Sequence, residues 1–296
     1  MAAARPGMTR RRFAAAVGLL AVMPGGAVEA ALAPPRRVAV LDWGLAETVL
    51  ALGLTPLAVA EAPLYRQRVV VPALPDEVRD LGLRTWPNME RLKALRPDLI
   101  VALDGYGVPA ARLEAIAPAL ALPVYTPDRA PLRLAGEALD ALAVTLNRRA
   151  QAEAVRAELE ATLEVAAVRL ADIAGRPLFI VKFADDRHLD VFGAGSLFDD
   201  VLRRLGLVNA WTGATNIWGY ATIGLEGLAA APEARVVVIA PGPSAALADS
   251  RLWRSLPPVR ENRLVTVPPA WVFGALPSAR RFCAALTEAL VAGGQG

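Results

Sequence analysis

The chain has 296 residues, 55% of them apolar, a formal net charge of +3, one histidine and one cysteine. Arg5, Arg10, Arg11, Arg12 and Glu29 all fall within the first 33 residues, so the remainder is formally neutral and gives no general electrostatic case for nucleic acid. A single cysteine excludes an internal disulfide, and one histidine with one cysteine excludes a His/Cys zinc site.

In chain order, the first predicted element is a leader over residues 1–33. Three arginines, Arg10 to Arg12, precede an apolar run from Phe13 to Met23. That run is shorter than the roughly 20 residues needed to span a bilayer, and it suits the core of a cleaved signal peptide. Thr9-Arg10-Arg11-Arg12-Phe13 fits the twin-arginine export pattern, with cleavage expected after Ala30 or Ala33. No cysteine lies near that point to take a lipid anchor. A periplasmic chain of about 260 residues would remain, enough for two lobes.

The segment RRVAVLDWGLAETVLALGL (36–54) reads as a strand, a turn and a helix ending in Leu-Gly-Leu. Further on, LRTWPNME (83–90) places Arg84 and Trp86 on a loop, and Asn88 is the expected N-cap of the helix that follows. Taken alone, this pair suits an exposed surface loop as well as a ligand cleft. Helix, proline stop and strand follow in ERLKALRPDLIVA, with Tyr106 just beyond in LDGYG. Residues 132–175 are rich in Ala, Leu, Glu and Arg. Leu139, Leu142 and Leu146 mark one apolar face there, and Asn147-Arg148-Arg149 marks a break, with Asn147 as the expected cap. A helix from Arg149 to Asp172 would run about 36 Å.

The second half echoes the first. RPLFIVKF reads as a strand, DRHLDVFGAG as a hairpin, and SLFDDVLRRLGL as a helix capped by Ser196. Glu226 opens another helix–proline–strand unit, EGLAAAPEARVVVIA. Strands alternating with helices predict parallel or mixed sheets covered by helices. The expected fold class is therefore α/β, with two lobes (34–146 and 175–296) joined by a long helix at 147–174. Cys283, in RRFCAALTEALV, is the expected buried thiol.

Catalytic motifs are missing. Gly-Ala-Gly-Ser (193–196) lacks both the nucleophile elbow and the phosphate-loop lysine, and His188, in DDRHLD, reads as solvated. An enzyme is disfavoured. Trp43, Tyr106, Trp218, Tyr220, Trp271 and Phe273 each fall at or near a predicted strand. Any one of them suits core packing, but strand ends in open α/β sheets converge on one edge, where ligands bind. That edge would also collect Arg84 and Trp86.

Six segments carry a resemblance: LGLRTWPNMERL, GYG, RHLDVFGAGSLFDDVL, NAWTGATNIWG, LWRSLPPVRENRLVTVP and WVFGALPSA. Together they resemble the FhuD-type periplasmic ferric-hydroxamate siderophore-binding proteins of ABC importers, a helical-backbone class, over nearly the whole exported chain. The resemblance implies a siderophore held in a shallow aromatic cleft, with Arg84 and Tyr106 as hydroxamate contacts. It also implies that Trp43, Leu189, Trp218 and Trp271 line or support that cleft. Trp86 and Tyr220 look like local additions. Arg68 and Ala102 stand where the family pattern carries tryptophans, and Phe273 stands where it carries a second tyrosine. Iron would be held by the siderophore, so no protein metal ligand or cofactor is expected. The implied partners are the ferric siderophore and an inner-membrane ABC permease met by an acidic residue on each lobe: Glu226, and Glu114 one turn from Ala111. A monomer is expected. The alternatives are haem, cobalamin or a ferric catecholate on the same fold, and, from another class, a periplasmic enzyme acting on a siderophore.

Overall fold

The computed structural model describes residues 33–293, so the expected leader lies outside the described residues except for its last position. In the N-terminal lobe five strands form a wholly parallel sheet in the order β3-β2-β1-β4-β5. They are β1 (Val38–Val40), β2 (Ala58–Val59), β3 (Arg79–Asp80), β4 (Leu99–Leu103) and β5 (Ala119–Leu122). Parallel neighbours need crossovers, supplied in part by α1 (Trp43–Ala51), α2 (Ala62–Arg68), α3 (Met89–Ala94) and α4 (Ala110–Leu113). Strands β1 and β4 are apolar and buried at every residue, as strands covered on both faces are. The chain leaves β1 toward one edge and returns through β4 to the other. The crevice this reversal opens lies at the carboxyl ends of the strands, the usual ligand edge of such sheets.

The C-terminal lobe contains β6 (Pro177–Phe183), β7 (His188–Phe192), β8 (Val208–Asn209), β9 (Tyr220–Gly224), β10 (Arg235–Ile239) and β11 (Leu264–Val267). Their order is β11-β10-β6-β7-β9, with β8 also pairing with β6. Strands β6 and β7 form the expected hairpin, with Lys182 opposite Asp190. Ser196 caps the helix after it, accepting the Asp199 N–H at 3.1 Å, and Asn88 caps α3 in the same way through the Arg91 N–H at 2.8 Å. The Glu226 segment departs from the expected α-helix. Leu225–Ala230 is a 3-10 helix whose buried residues, Leu225 and Leu228, are three apart and so fall on one face of a three-residue turn.

Between the lobes lie α5 (Pro131–Thr145) and α6 (Arg149–Arg169), followed in the second lobe by α7 (Leu197–Arg204), short helices α8 to α10 (Ala245–Ala248, Arg251–Ser255, Pro257–Arg260) and α11 (Leu276–Ala292). Helix α6 has 21 residues, or about 31 Å, and is shorter than expected because buried Leu170 turns the chain into a 3-10 segment at Ala171–Ile173. Asn147 does not cap it. With φ 53° Asn147 is left-handed and ends α5, a conformation that asparagine tolerates where the chain must reverse.

Ala152, Leu159, Leu163 and Ala166 form the buried stripe of α6, and Glu158, Glu160 and Arg156 tie it to Arg280, Arg204 and Asp140. One apolar core runs through both lobes, from Val40 and Leu139 through Leu163 to Ile180, Phe198 and Phe282. Cys283 is buried beside it, and burial pushes its thiol up to about 11. Among the described residues no helix is long and apolar enough to cross a membrane.

Candidate ligand-binding cleft

The site is built from segments that leave the carboxyl ends of the parallel strands. After β1, Asp42 caps α1 by accepting the Leu45 N–H at 3.0 Å. Burial raises its carboxyl above the usual range, against the opposing pull of the Leu45 hydrogen bond and the Arg84 charge. Trp43 is fully buried, and its Nε1 donates to the Ala60 carbonyl at 2.8 Å. Next to Ala60, Glu61 is left-handed (φ 51°) and accepts from Arg84 Nε at 2.8 Å. Both side chains of that pair are 16% exposed.

The Arg84 guanidinium lies 3.9 Å from the Trp43 ring centroid and 5.1 Å from that of Trp271. Those two indoles are 4.5 Å apart. A carboxylate and two ring faces therefore hold the head group, each ring contributing about 0.5–2 kcal/mol. Its Nε is taken by Glu61, and among the described residues neither terminal nitrogen meets a protein acceptor. The fork is left to bond something else.

Beyond β4, Gly105 and Gly107 flank Tyr106 at φ 73° and 75°. A Cβ on Gly107 would sit 2.8 Å from the Arg84 carbonyl oxygen, so only glycine lets this turn nest against the arginine loop. From the other lobe come Trp218, Tyr220 and Phe273. Tyr106 meets Trp218 edge-on at 5.4 Å, Trp218 meets Phe273 at 5.2 Å, and Phe273 meets Tyr220 at 5.8 Å. Asp42, Arg84, Tyr106, Trp218, Tyr220 and Phe273 line a cavity of about 160 Å³ between the lobes. Larger grooves of about 560 and 530 Å³ run along α6. Charged side chains already paired with one another line those grooves, and no aromatic side chain does, so the smaller cavity is the better ligand site.

The structure thus brings together five of the expected cleft residues (Arg84, Tyr106, Trp218, Tyr220 and Phe273), with Trp43 and Trp271 buried directly beneath them. Trp86 stands apart: it is 72% exposed, and its ring meets the Arg112 guanidinium at 5.7 Å. Leu189 needs correction. Successive residues of a strand face opposite sides, and on β7 Leu189 points with Val191 into a core containing Phe179 and Trp253, so it is fully buried and does not line the cavity. Ala102 is likewise buried in the outer core of its lobe, whereas Arg68 is exposed at the end of α2. His188 is exposed as expected and lies beside Asp185, 2.9 Å from Oδ2. Glu226, Glu114 and Ala111 are all exposed.

Four residues of this region were missed by sequence reasoning. Asp42 carried a signal, an aspartate between an apolar run and a helix. Glu61 did not, and neither did Tyr125, whose buried hydroxyl donates to the Gly274 carbonyl at 3.1 Å. Glu47 is a fully buried carboxylate that accepts the Ala275 N–H at 2.6 Å, the Ser278 N–H at 3.2 Å and the Ser278 hydroxyl at 2.6 Å. It fastens α1 to the loop carrying Trp271 and Phe273. Burial pushes it up to about 7, with the three hydrogen bonds pulling the other way. Among the described residues no group of three or more His, Cys, Asp or Glu is placed to hold a metal ion.

Two α/β lobes around an interlobe helix, with an aromatic cleft at their junction, define a two-lobed solute-binding protein. Residues 38–270 match the periplasmic binding protein family, and the chain belongs to it. It is 36% identical over 289 residues to the iron(3+)-hydroxamate-binding protein FhuD of Escherichia coli (strain K12), spanning 96% of this chain and 97% of that relative. The solved structure of FhuD from Vibrio cholerae with Fe3+–Desferal bound superposes with a TM-score of 0.81 at 32% identity, covering 87% of this chain and 98% of that one. FhuD2 of Staphylococcus aureus with bound ferrioxamine B shares the fold, with a TM-score of 0.66 at 20% identity. The FhuD-type resemblance therefore holds along nearly the full length. These relatives are named for binding, and this chain is a binding protein rather than an enzyme.

Proposed function

We propose that this chain captures a ferric siderophore of hydroxamate type in the periplasm and delivers it to the permease of an ABC importer. The observation that carries the reading is the arrangement of Arg84, fixed by Glu61 and two indoles with its terminal N–H groups left unused at the cleft floor. A ferric hydroxamate presents electron-rich oxygens around the metal. A guanidinium fork matches two of them at once, with charge-assisted hydrogen bonds. Tyr106 adds a hydroxyl donor, and Trp218, Tyr220 and Phe273 cover the apolar linkers. Iron is cargo in this scheme, held by the siderophore, and the protein needs no ligands of its own.

Residues 34–146 and 175–296 serve as the two jaws of a monomer, with 147–174 as the strut between them. Glu226 on the second lobe and Glu114 on the first are the carboxylates offered to the permease. Both are exposed, as docking requires. Glu226→Ala should lower siderophore uptake by cells while leaving affinity in solution unchanged; uptake at the wild-type rate removes Glu226 from the docking face.

Tryptophan fluorescence titrated with ferrichrome, ferrioxamine B, a ferric catecholate, haem and cobalamin tests the ligand class. Saturable quenching by a ferric hydroxamate, absent with the iron-free ligand, is the expected result. A response confined to haem, cobalamin or the catecholate refutes it. Arg84→Ala should weaken ferric-hydroxamate binding by about 1.5–3 kcal/mol, the scale of a hydrogen bond to a charged group. Unchanged affinity would remove Arg84 from the site.

A further inference from the structure

Two rings of the cleft hang on one turn of the second lobe, Asn216 to Tyr220. Asn216 Oδ1 accepts the Trp218 N–H at 2.9 Å and the Tyr220 N–H at 3.3 Å. Its backbone N–H donates to the Tyr220 carbonyl at 2.9 Å, and its carbonyl accepts the Gly219 N–H at 3.0 Å. Trp218 and Tyr220 both line the cavity, so their rings stand or shift with Asn216. Gly219, at φ 80°, presses the turn against the segment before α7. Its carbonyl accepts the Gly193 N–H at 2.9 Å, and a Cβ on it would collide with the Ser196 nitrogen.

The cation that pins this turn comes from the first lobe. Arg129 lies on the loop between β5 and α5 and reaches across to three oxygens of the second lobe. Nη1 donates to the Asn216 carbonyl at 2.9 Å, and Nη2 donates to the Ala194 carbonyl and to Thr215 Oγ1. Thr215 Oγ1 donates in turn to the Ala194 carbonyl at 2.7 Å, which joins the two second-lobe segments beside the guanidinium. Arg129 itself holds φ 55°, a left-handed conformation that a non-glycine residue keeps only where its contacts hold it there. Among the described residues it forms no ion pair. Removing its head group therefore strands no opposite charge, and what is lost is the position of the turn.

We propose that Arg129 is a positioning residue for ligand binding: acting through Asn216, it fixes Trp218 and Tyr220 at the distance from Arg84 and Tyr106 that a ferric hydroxamate requires. The inference rests on the hydroxamate reading above. Arg129 does not line the cavity and touches no ligand in this scheme. Arg84 grips the oxygens from one lobe, and Arg129 sets where the other lobe's wall stands.

Arg129→Met keeps the aliphatic stem and removes every donor. Ferrichrome and ferrioxamine B should each bind this variant roughly threefold to thirtyfold more weakly, the range for residues that act on a site without touching its ligand. The emission of Trp218, taken as the difference between each protein and its Trp218→Phe counterpart, should shift to longer wavelength in the ligand-free variant as the indole loosens toward water. Asn216→Ala breaks the same route, so adding Arg129→Met to it should weaken binding little further. Unchanged affinity in Arg129→Met overturns the proposal. So does weakened affinity with an unshifted Trp218 emission, and so do additive losses in the double variant. Should Asn216→Ala fail to fold, the affinities and emission of Arg129→Met decide alone. Failure of both chelates to bind the wild-type protein refutes the hydroxamate reading itself, and the ligand-free Trp218 emission then still tests whether Arg129 holds the turn.

Discussion

Replacing Glu47 by glutamine should remove one share of the fall in stability that the wild-type protein shows as pH rises from about 4.5 to about 7. Glu47 holds its proton up to about 7 in the folded chain, against the ordinary 4.5. The folded state therefore binds the proton more tightly than the unfolded one. The stabilisation from this group is complete below the unfolded value, declines through the interval and is lost above the folded value. At about 1.4 kcal/mol per pH unit, the gap corresponds to about 3 kcal/mol. Denaturant midpoints of the ligand-free protein, taken at intervals from about pH 4.5 to 7.5, would measure it. Burial raises Asp42 and Asp200 in the same direction, so the wild-type curve falls for more than one reason. The difference between the wild-type and Glu47→Gln curves isolates the one group, because glutamine keeps an acceptor for the Ala275 and Ser278 donors. Parallel curves for the two proteins would refute the reasoning.

Two further substitutions probe the cleft. Glu61→Ala should weaken ferric-hydroxamate binding by about 1 kcal/mol by releasing Arg84 Nε, and Glu61→Gln, which keeps an acceptor, should recover most of that loss in the same titration; equal losses in both variants would mean that charge, not positioning, is the contribution. Trp271→Ala removes a side chain only 4% exposed from beneath Arg84 and should cost about 3–5 kcal/mol in stability by denaturant unfolding. A loss under about 1 kcal/mol would place Trp271 outside the packed floor.

Local signals were the legible ones. Asn88 and Ser196 were readable as caps because the group each one bonds lies three residues away. The hairpin after β6 and the placement of the aromatics at strand ends followed from patterns a few residues long. Asn147 was misread because the same side chain can open a helix or end one, and the reversal between α5 and α6 decides which. Leu189 came from resemblance alone, while the alternation Leu189, Asp190, Val191, Phe192 already pointed Asp190 and Phe192 to the other face. Glu61, Tyr125 and Glu47 left no local trace. Glu61 meets its partner 23 residues away, Tyr125 meets its partner 149 away, and Glu47 meets Ser278 231 away. No sequence periodicity reaches that far.

Those distant partners also explain how selectivity is divided across the cleft. Glu47 and Tyr125 belong to the first lobe, yet both bond the loop that carries Trp271 and Phe273. Tyr106 packs across to Trp218, and a single apolar core passes under the junction along α6. The floor is therefore assembled by the protein's contacts with itself, and a ligand does not have to draw the lobes together to complete it. In the proposed reading, that floor meets the iron centre and its oxygens, which every ferric hydroxamate shares. Discrimination between one hydroxamate and another then falls to side chains outside the floor. Changing the floor, by Arg84→Ala or Glu61→Ala, should therefore lower affinity for ferrichrome and ferrioxamine B alike in the fluorescence titration, and a variant that reverses their order would refute this division.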